Sequence, residues 1–322
     1  YEPCVVKQEE TADPNMATSD KMIGSSAAWA AGYTGAGSRI AIIDTGADVD
    51  HPSLDPDALK YALQGSNATI MTEADLTDEV LNQLNAYTRK AGLTAADFYV
   101  NEKIPFGFNY VDADTDITHD NDTQGDHGSH VTGIAAGNRF VKDEAGNYVA
   151  ALDSVMTQGV APDAQILTMK VFGKRGGAYD SDYMVAIEDA MVLGADAANL
   201  SLGGSFPGYS EYTEEKYRHI LDEIVGSGMV VTISAGNSGS WFDQTAFGLP
   251  YAGSVNWATN GSPGSYVNSL CVASVDNAGV TDNYLKVKGH NMTYTEKSYQ
   301  NKPIYTIGGS HEYIYLDKIG TC

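Results

Sequence analysis

The sequence has few basic residues, few cysteines and no long apolar run. It contains 19 Lys and Arg against 42 Asp and Glu, which gives a formal net charge of −23. Nucleic-acid binding draws its affinity from clustered Lys and Arg, so we expect no nucleic-acid partner. No apolar run approaches the roughly 18 to 20 residues that span a bilayer, so we expect no transmembrane segment.

The three cysteines, Cys4, Cys271 and Cys322, are too few and too scattered for a disulfide scaffold or a zinc site, both of which need regular spacing. Their odd number leaves at least one free thiol. Cys271 lies inside the apolar run LCVASV, where we expect a small buried side chain. Cys4 and Cys322 either pair with each other or with another segment. The chain opens on Tyr1 without a signal sequence, which indicates a mature, processed, soluble segment.

A length of 322 residues and a hydrophobic content of 43% suffice for a substantial core. Short β-branched runs predict buried parallel strands at 39–43, 166–172, 197–202, 229–234 and 270–275. Between them, residues 183–194 and 217–225 carry apolar faces with the spacing of a helix. Strands that alternate with helices predict an α/β fold, a three-layer sandwich whose mainly parallel, twisted sheet is covered by helices on both faces.

Polar or glycine-rich residues follow three of the predicted strands. Asp44 follows the first run directly, the segment 201–204 follows AANL of the third, and Asn237 follows the fourth. In parallel sheets the chemistry gathers at the carboxyl ends of the strands. Together with His127 at a predicted helix start, these residues suggest nucleophilic acyl transfer, which needs an orienting carboxylate, a base and an oxyanion donor.

Three segments depart from the alternating pattern. Residues 55–103 are interpreted as an insertion, with a helix over LTDEVLNQLNAYTRKAG that ends at Gly92. Residues 139–156 predict a second insertion, a hairpin with its turn at Gly146. Residues 284–322 are rich in Tyr, alternate in polarity and are broken by glycines, so they indicate a β-rich module.

The stretch GDHGSH places His127 and His130 three residues apart, with Asp126 just before them. By itself this spacing is compatible with a metal site, a structural pair or catalysis. An H-x-x-H pair suggests metal, but no Glu at zincin spacing accompanies it. We interpret His130 as a packed, hydrogen-bonded structural residue.

The acid-rich segment DADTDITHDND invites a calcium interpretation. Asp112, Asp114 and Asp116 alternate like the first ligands of an EF-hand loop. The segment lacks the Gly at position six and the Glu at position twelve of that loop, where Ile117 and Thr123 stand. The alternatives are a calcium site and a solvated acidic loop.

Four motifs resemble the subtilisin-like serine peptidases, the subtilases, in their order and strand context: AIIDTGADVDHPSL, GDHGSHVTGIAAGN, NLSLGG and ISAGNSG. Two further stretches resemble the large Gram-positive cell-envelope subtilases, the lactocepin and C5a-peptidase group. They are KIPFGFNYVDADTDITHDND and NGSPGSYVNSLCVASVDN. The resemblance covers roughly residues 15–322.

The resemblance implies roles for the matching residues. Asp44 would be the triad acid and His127 the general base. Asn237 would donate its side-chain amide to the oxyanion. Subtilisin has the same chain order, in which the Asp comes first, the His second and the Ser last.

The resemblance also implies residues that bind substrate. Ser201, Leu202 and Gly203 would bind the substrate backbone as an added strand. Gly176 and Gly177 would flank the other side, where glycine permits close approach of the backbone. A plain loop is the alternative for the second pair.

The family's serine lies in a G-T-S-x-A-x-P block, and nothing after Asn237 matches it. The partial match GSSAAWAAG at 24–32 lies upstream of Asp44 and has Ala30 at the position of the Pro. In the group named above, a protease-associated domain interrupts the catalytic domain ahead of the serine. We therefore expect 1–283 to be the N-terminal part of the catalytic domain and 284–322 the start of that insert. The serine would come from a downstream segment or a second polypeptide produced by processing.

The implied function is an extracellular serine endopeptidase, secreted or attached to a Gram-positive cell surface, that hydrolyses peptide bonds of proteins through an acyl-enzyme. It would require no cofactor. One alternative is a peptide-binding pseudo-peptidase without hydrolytic activity. Another is a metallohydrolase that uses Asp126, His127 and His130.

Overall fold

The computed structural model describes residues 5–7, 19–120, 122–123, 125–154, 158–204, 211–237, 260–275, 284–287 and 290–293. Within these residues the strands β1 to β11 are Val5–Lys7, Arg39–Asp44, Phe106–Asn109, Phe140–Lys142, Tyr148–Ala150, Gln165–Lys170, Ala197–Leu200, Val230–Ser234, Leu270–Val272, Tyr284–Val287 and His290–Thr293. The helices α1 to α9 are Ser19–Ile23, Ser25–Ala30, Pro56–Ala62, Asp78–Leu81, Asn85–Arg89, Ala95–Phe98, His127–Ala136, Asp180–Val192 and Glu211–Ser227. Short 3₁₀ turns occur at Pro52–Leu54, Glu73–Asp75 and Ala151–Asp153. Among the described helices, none has the length and apolarity to cross a membrane.

The main sheet has six strands in the order β3-β6-β2-β7-β8-β9. Every neighbouring pair in it is parallel. The five strands predicted from apolar runs all lie in this sheet. Because the strands run the same way, their carboxyl ends meet at one edge, which is where the polar residues after the predicted strands are placed.

Alternate residues of β2 face two separate cores. Ala41 and Ile43 pack in the larger apolar cluster, which includes Ile187 of α8 and further residues of α9. Ile42 packs in a smaller cluster with Ala136 of α7. Successive side chains of a strand point to opposite faces, so α8 and α9 cover one face of the sheet and α7 the other. The predicted three-layer α/β arrangement is confirmed.

The sequence pattern does not predict the strand β3. Its four residues are short of β-branched side chains, yet all four are buried. Phe98 of α6 stacks on Phe106 with ring centroids 5.4 Å apart. The insertion therefore covers this edge of the sheet, and an edge strand that is covered does not show the alternating pattern of an exposed one.

The single helix predicted to end at Gly92 is wrong, because the segment forms α4 and α5 instead. The Asp189 carboxylate of α8 accepts hydrogen bonds from Asn85 N at 2.7 Å and Ala86 N at 2.9 Å. It also accepts one from Tyr110 Oη at 2.8 Å. Asp189 thus satisfies the free amides at the start of α5, which lets a new helix begin there.

Burial of Asp189 predicts a pH dependence of stability. Burial raises the pKa of Asp189 from 3.8 to about 6, although its hydrogen bonds offset part of the rise. The folded state then binds the proton more tightly than the unfolded state. Above pH 6 the buried Asp189 is charged, which lowers the free energy of unfolding. This destabilisation is on the order of 3 kcal/mol, and it vanishes as the pH falls below about 4.

We therefore expect the stability of the wild type, relative to Asp189→Asn, to increase as the pH is lowered from 7 to 4. Urea unfolding of both proteins across this range measures the difference, and the variant cancels the titration of the other acids. Parallel stability curves for the two proteins would show that Asp189 ionises as freely in the fold as in the unfolded chain.

The hairpin predicted within 139–156 is present. The strands β4 and β5 pair antiparallel, and Gly146 in the turn has φ +83. Tyr148 of β5 stacks on Tyr61 of α3 with ring centroids 4.5 Å apart. The hairpin is therefore held on the helix that opens the first insertion.

A second, antiparallel sheet has the order β1-β10-β11. The hairpin of β10 and β11 lies at the start of 284–322, and β10 also pairs with β1. Most of that segment lies outside the described residues, so the extent of a β-rich module stays a prediction.

The expectation of a buried Cys271 is wrong. Cys271 is exposed, and its neighbours Leu270 and Val272 in β9 are 58% and 50% exposed. Its Sγ donates to Asn260 Oδ1 at 3.3 Å. The apolar run forms the outermost strand of the described sheet, so one side of it is not covered by the described elements. Cys4 and Cys322 lie outside the described residues.

Candidate active site

Asp44 ends β2 and His127 begins α7, and the two side chains meet. Nδ1 of His127 lies 2.7 Å from Oδ1 of Asp44. The Asp44 side chain is 1% exposed, whereas the imidazole is 53% exposed. An ionised carboxylate can only accept a hydrogen bond, so the proton of the neutral imidazole sits on Nδ1. The lone pair is then on Nε2, on the edge of the ring that is available to a reactant.

Two glycines let α7 approach the loop after β2. A Cβ on Gly128 would lie 2.1 Å from the carbonyl oxygen of Gly46, and a Cβ on Gly46 would lie 2.2 Å from that of Ile117. Gly46 also has φ +110, a backbone angle that residues with a side chain rarely adopt. The glycine of the HGSH motif is thus required for the contact that brings the imidazole onto the carboxylate, and the glycine of the DTG motif for the approach of the loop that contains Ile117.

Two hydrogen bonds fasten α7 to the same loop. Thr45 Oγ1 accepts from Gly128 N at 2.8 Å, and Ser129 Oγ accepts from Asp48 N at 2.7 Å. Thr45 N donates to Asp44 Oδ1 at 2.7 Å. Thr45 therefore orients the carboxylate and holds the helix at once.

We expect Gly128→Ala to displace the first turn of α7, because the new methyl group would meet backbone rather than a movable side chain. The expected loss of stability is about 1–3 kcal/mol. Gly133→Ala is the matched control, since a Cβ there meets nothing within 4 Å in the same helix. It should raise stability by up to about 1 kcal/mol. Thermal unfolding distinguishes the two, and equal midpoints would contradict the role given to the glycine contact.

The other predicted residues lie at the same edge of the sheet. Ser201 directly follows β7, and Asn237 follows β8 and is exposed. Adjacent strands lie about 4.8 Å apart, so β2 and β8, which flank β7, are roughly 10 Å apart. The sheet therefore places Asp44 and Asn237 on opposite sides of the segment that begins at Ser201.

The segment 201–204 is bonded to Ser262, in the stretch NGSPGSYVNSLCVASVDN, to which the sequence assigned no contact with it. Gly204 N donates to Ser262 O at 2.8 Å, and a Cβ on Gly203 would lie 2.9 Å from that same oxygen. Leu202 is buried, and its carbonyl accepts from Ser234 Oγ at 3.1 Å. The available signal was the pair of glycines in NGSPGS, which permits this close approach.

Gly176 and Gly177 lie in the loop between β6 and α8. Their φ values are +89 and +83. A Cβ on Gly177 would meet nothing within 4 Å, so its backbone conformation, rather than crowding, accounts for the glycine. Their role in binding substrate stays a prediction.

The acidic loop engages a lysine of that neighbouring loop. Lys174 Nζ lies 3.3 Å from Asp114 Oδ2 and 3.8 Å from Asp116 Oδ2. Lys174 N donates to Asp112 Oδ2 at 2.9 Å, and the hydrogen bond to Asp114 raises the pKa of Lys174. Within the described part of the chain, no three His, Cys, Asp or Glu side chains are grouped as metal ligands. Calcium at the acidic loop would have to displace Lys174.

The interpretation of His130 as a packed residue is wrong. His130 is exposed, although its backbone N–H bonds to Asp126 O at 3.0 Å within α7. Nδ1 of His127 is occupied by Asp44. The described residues therefore do not support a metal site built on Asp126 and the two histidines.

The sequence pattern did not predict a buried lysine next to the Asp44–His127 pair. Lys170 ends β6 and stands directly opposite Asp44 in the parallel register. Its side chain is 1% exposed, and Nζ lies 2.5 Å from Asp122 Oδ2 and 2.5 Å from Thr45 O. The only sequence signal is a Lys at the end of an apolar strand, in ILTMKVF.

A family model described as the subtilase family, Peptidase_S8, matches residues 35–313. The chain belongs to the subtilase family. Asp44, His127, Ser201 and Asn237 all lie inside the matched region of this subtilase. The resemblance that the four motifs indicated is thereby confirmed.

The subtilase is similar to several proteinases of Gram-positive bacteria. It is 32% identical over 276 residues to the PI-type proteinase of Lactococcus lactis subsp. cremoris, which covers 83% of this chain and 13% of the relative. It is 28% identical over 314 residues to the minor extracellular protease Vpr of Bacillus subtilis, with coverages of 93% and 29%. It is 29% identical over 242 residues to a C5a peptidase of Streptococcus pyogenes, with coverages of 74% and 18%. The chain thus spans less than a third of the length of these relatives.

Proposed function

We propose that this chain supplies the catalytic acid, the general base and an oxyanion donor of a serine endopeptidase that hydrolyses peptide bonds of proteins. The observation that carries the proposal is the 2.7 Å hydrogen bond between Asp44 and His127 in a chain of the subtilase family. The buried carboxylate and half-exposed imidazole have the environments that an orienting acid and a base require.

In the proposed reaction, a serine Oγ attacks the peptide carbonyl while His127 Nε2 takes its proton. His127 then gives the proton to the leaving amine, and an acyl-enzyme forms. The same imidazole activates the water that hydrolyses the acyl-enzyme. Asp44 keeps the Nδ1 proton in place and stabilises the imidazolium that forms in each step.

The serine would lie outside the 322 residues, since the G-T-S-x-A-x-P pattern is absent from them. The relatives are several times longer than the matched region, which supports a serine on a further segment. In this scheme 1–283 form the N-terminal part of the catalytic domain and 284–322 the start of a β-rich insert. The name of the Bacillus relative supports an extracellular location, and we propose that the protein is secreted or attached to the cell surface.

Substrate would bind across the carboxyl edge of the sheet. Ser201, Leu202 and Gly203 would pair with its backbone, and the loop with Gly176 and Gly177 would form the opposite wall. The exposure of Gly203 and Gly177 supports this arrangement.

We expect Asn237→Ala to lower kcat about 10²–10³-fold with little change in KM, the size of effect found in subtilisin. The side-chain amide would donate to the oxyanion, which carries its charge only in the transition state. Steady-state kinetics on a peptide substrate measure the two constants separately. Asn82→Ala, an exposed asparagine of the insertion, is the control. A raised KM with unchanged kcat would assign Asn237 to substrate binding instead.

The proposed function is tested by protein hydrolysis with the natural protein, purified with every polypeptide that it carries. We expect cleavage of an unfolded protein substrate that a fluorophosphonate abolishes and that phenanthroline, a zinc chelator, leaves intact. Sensitivity to phenanthroline without fluorophosphonate labelling would indicate a metallohydrolase. Substrate binding without cleavage or labelling would indicate a pseudo-peptidase.

A further inference from the structure

Lys170 connects the two chain segments that carry the Asp44–His127 pair. Its ammonium lies 2.5 Å from Thr45 O, in the residue that follows Asp44. It lies 2.5 Å from the carboxylate of Asp122, in the loop that leads into His127. One buried cation thus bridges the strand end that presents the acid and the loop that precedes the base.

The bridge complements the contacts on the helix side of His127. Gly128 and Ser129 hold the helix to the loop after β2 from the C-terminal side of the imidazole. On its N-terminal side, Asp122 N bonds to His119 O at 3.2 Å within its own loop, and its carboxylate bonds to Lys170. The chain is therefore anchored on both sides of His127.

The ion pair between Lys170 and Asp122 is almost fully buried, which makes it a weak source of stability. The Lys170 and Asp122 side chains are 1% and 2% exposed. Taking two charges out of water is costly, and replacing a buried ion pair by apolar residues is often neutral or stabilising. An ion pair in this place is accordingly explained better by the geometry that it fixes than by the stability that it adds.

We propose that Lys170 and Asp122 are positioning residues for His127: their buried ion pair, joined to Thr45 O, holds the loop before the base so that the imidazole stays on Asp44. The inference rests on the proposed function, because it concerns the base of that reaction. Among the described contacts, neither side chain bonds to the His127 imidazole.

Lys103 offers a matched control. It is also fully buried, and its Nζ donates to Pro162 O at 2.9 Å and Ala164 O at 2.8 Å. These carbonyls precede β6, whereas Lys170 ends it, so the two lysines are separated by about six residues of strand, or roughly 20 Å. Lys103→Met removes a buried lysine from the same region of the fold without touching the active-site edge.

The test compares Lys170→Met, the double variant Lys170→Met/Asp122→Leu, and Lys103→Met in the natural protein. We expect Lys170→Met to lower kcat roughly 100-fold with KM changed less than about twofold, because small misplacements of a catalytic group have effects of this size. The double variant should regain the wild-type Tm while kcat stays low. Lys103→Met should lower Tm and leave kcat unchanged.

A double variant that regains both Tm and kcat would overturn the proposal, since the pair would then act on stability alone. Hydrogen exchange provides a readout that does not need activity. Peptides that contain Asp122 should exchange faster in the double variant than in the wild type, and at the wild-type rate in Lys103→Met. Unchanged exchange in the double variant would also overturn the inference. A wild type that hydrolyses nothing would contradict the proposed function, while the exchange measurement still tests the loop restraint.

Discussion

Replacement of His127 by Gln should lower kcat about 10⁶-fold, the size of loss known when the base of subtilisin is removed. Gln cannot take the serine proton at neutral pH, so the nucleophile is left without a base. The side chain is 53% exposed, which is why we expect Tm to change little. Activity on a fluorogenic peptide and thermal unfolding of the same preparation measure the two effects.

His130→Gln is the matched control for this prediction. The two histidines lie three residues apart in α7, and both are exposed. Only His127 bonds to a buried carboxylate. We expect kcat of His130→Gln within about twofold of the wild type, because a surface side chain away from special contacts contributes little. Equal losses in both variants would point to a joint role, as in a metal site.

Asp44→Asn should lower kcat about 10⁴-fold with KM nearly unchanged. The Asn side chain is almost the same size and fits the buried position. Its amide can donate to Nδ1 of His127, however, which moves the imidazole proton to Nε2 and removes the lone pair from the reacting edge. Asp50→Asn, an exposed acid in the same loop, is expected to keep full activity.

The two substitutions should also be non-additive. When residues act as one catalytic unit, removing one of them abolishes most of the rate enhancement that the unit supplies. Asp44→Asn in the His127→Gln background should therefore lower kcat very little further. Rates of the wild type, both single variants and the double variant form a cycle that measures this coupling. Independent, multiplying losses would mean that Asp44 acts other than through His127.

The edge of the sheet that carries the candidate site was predictable because buried parallel strands leave continuous apolar runs. Asp44 directly follows such a run and Asn237 comes three residues after another, so their common edge follows from the strand direction. The pairing of Asp44 with His127 was expected from the family motifs rather than from periodicity. The sequence does not show why glycine is needed at Gly128. The reason is seen only in the structure, where Gly128 lies against the backbone of Gly46.

Other features depend on tertiary contacts that a local pattern does not contain. The strand β3 is formed by a short aromatic segment that becomes buried against Phe98. The helix of the insertion is divided by Asp189, which is distant in sequence. Lys170 resembles an ordinary strand end until Asp122 is placed beside it. The expected burial of Cys271 failed because the run lies in the outermost described strand.

The central claim is that this chain provides the acid and base for a serine located elsewhere in the protein. The most direct measurement is peptide mapping of the natural protein after reaction with a fluorophosphonate, which phosphonylates an activated serine Oγ and releases fluoride. We predict one adduct, on a serine in a G-T-S-x-A-x-P segment outside residues 1–322, and its loss in His127→Gln. An adduct on a serine within these residues, or an adduct that persists in His127→Gln, would contradict the account.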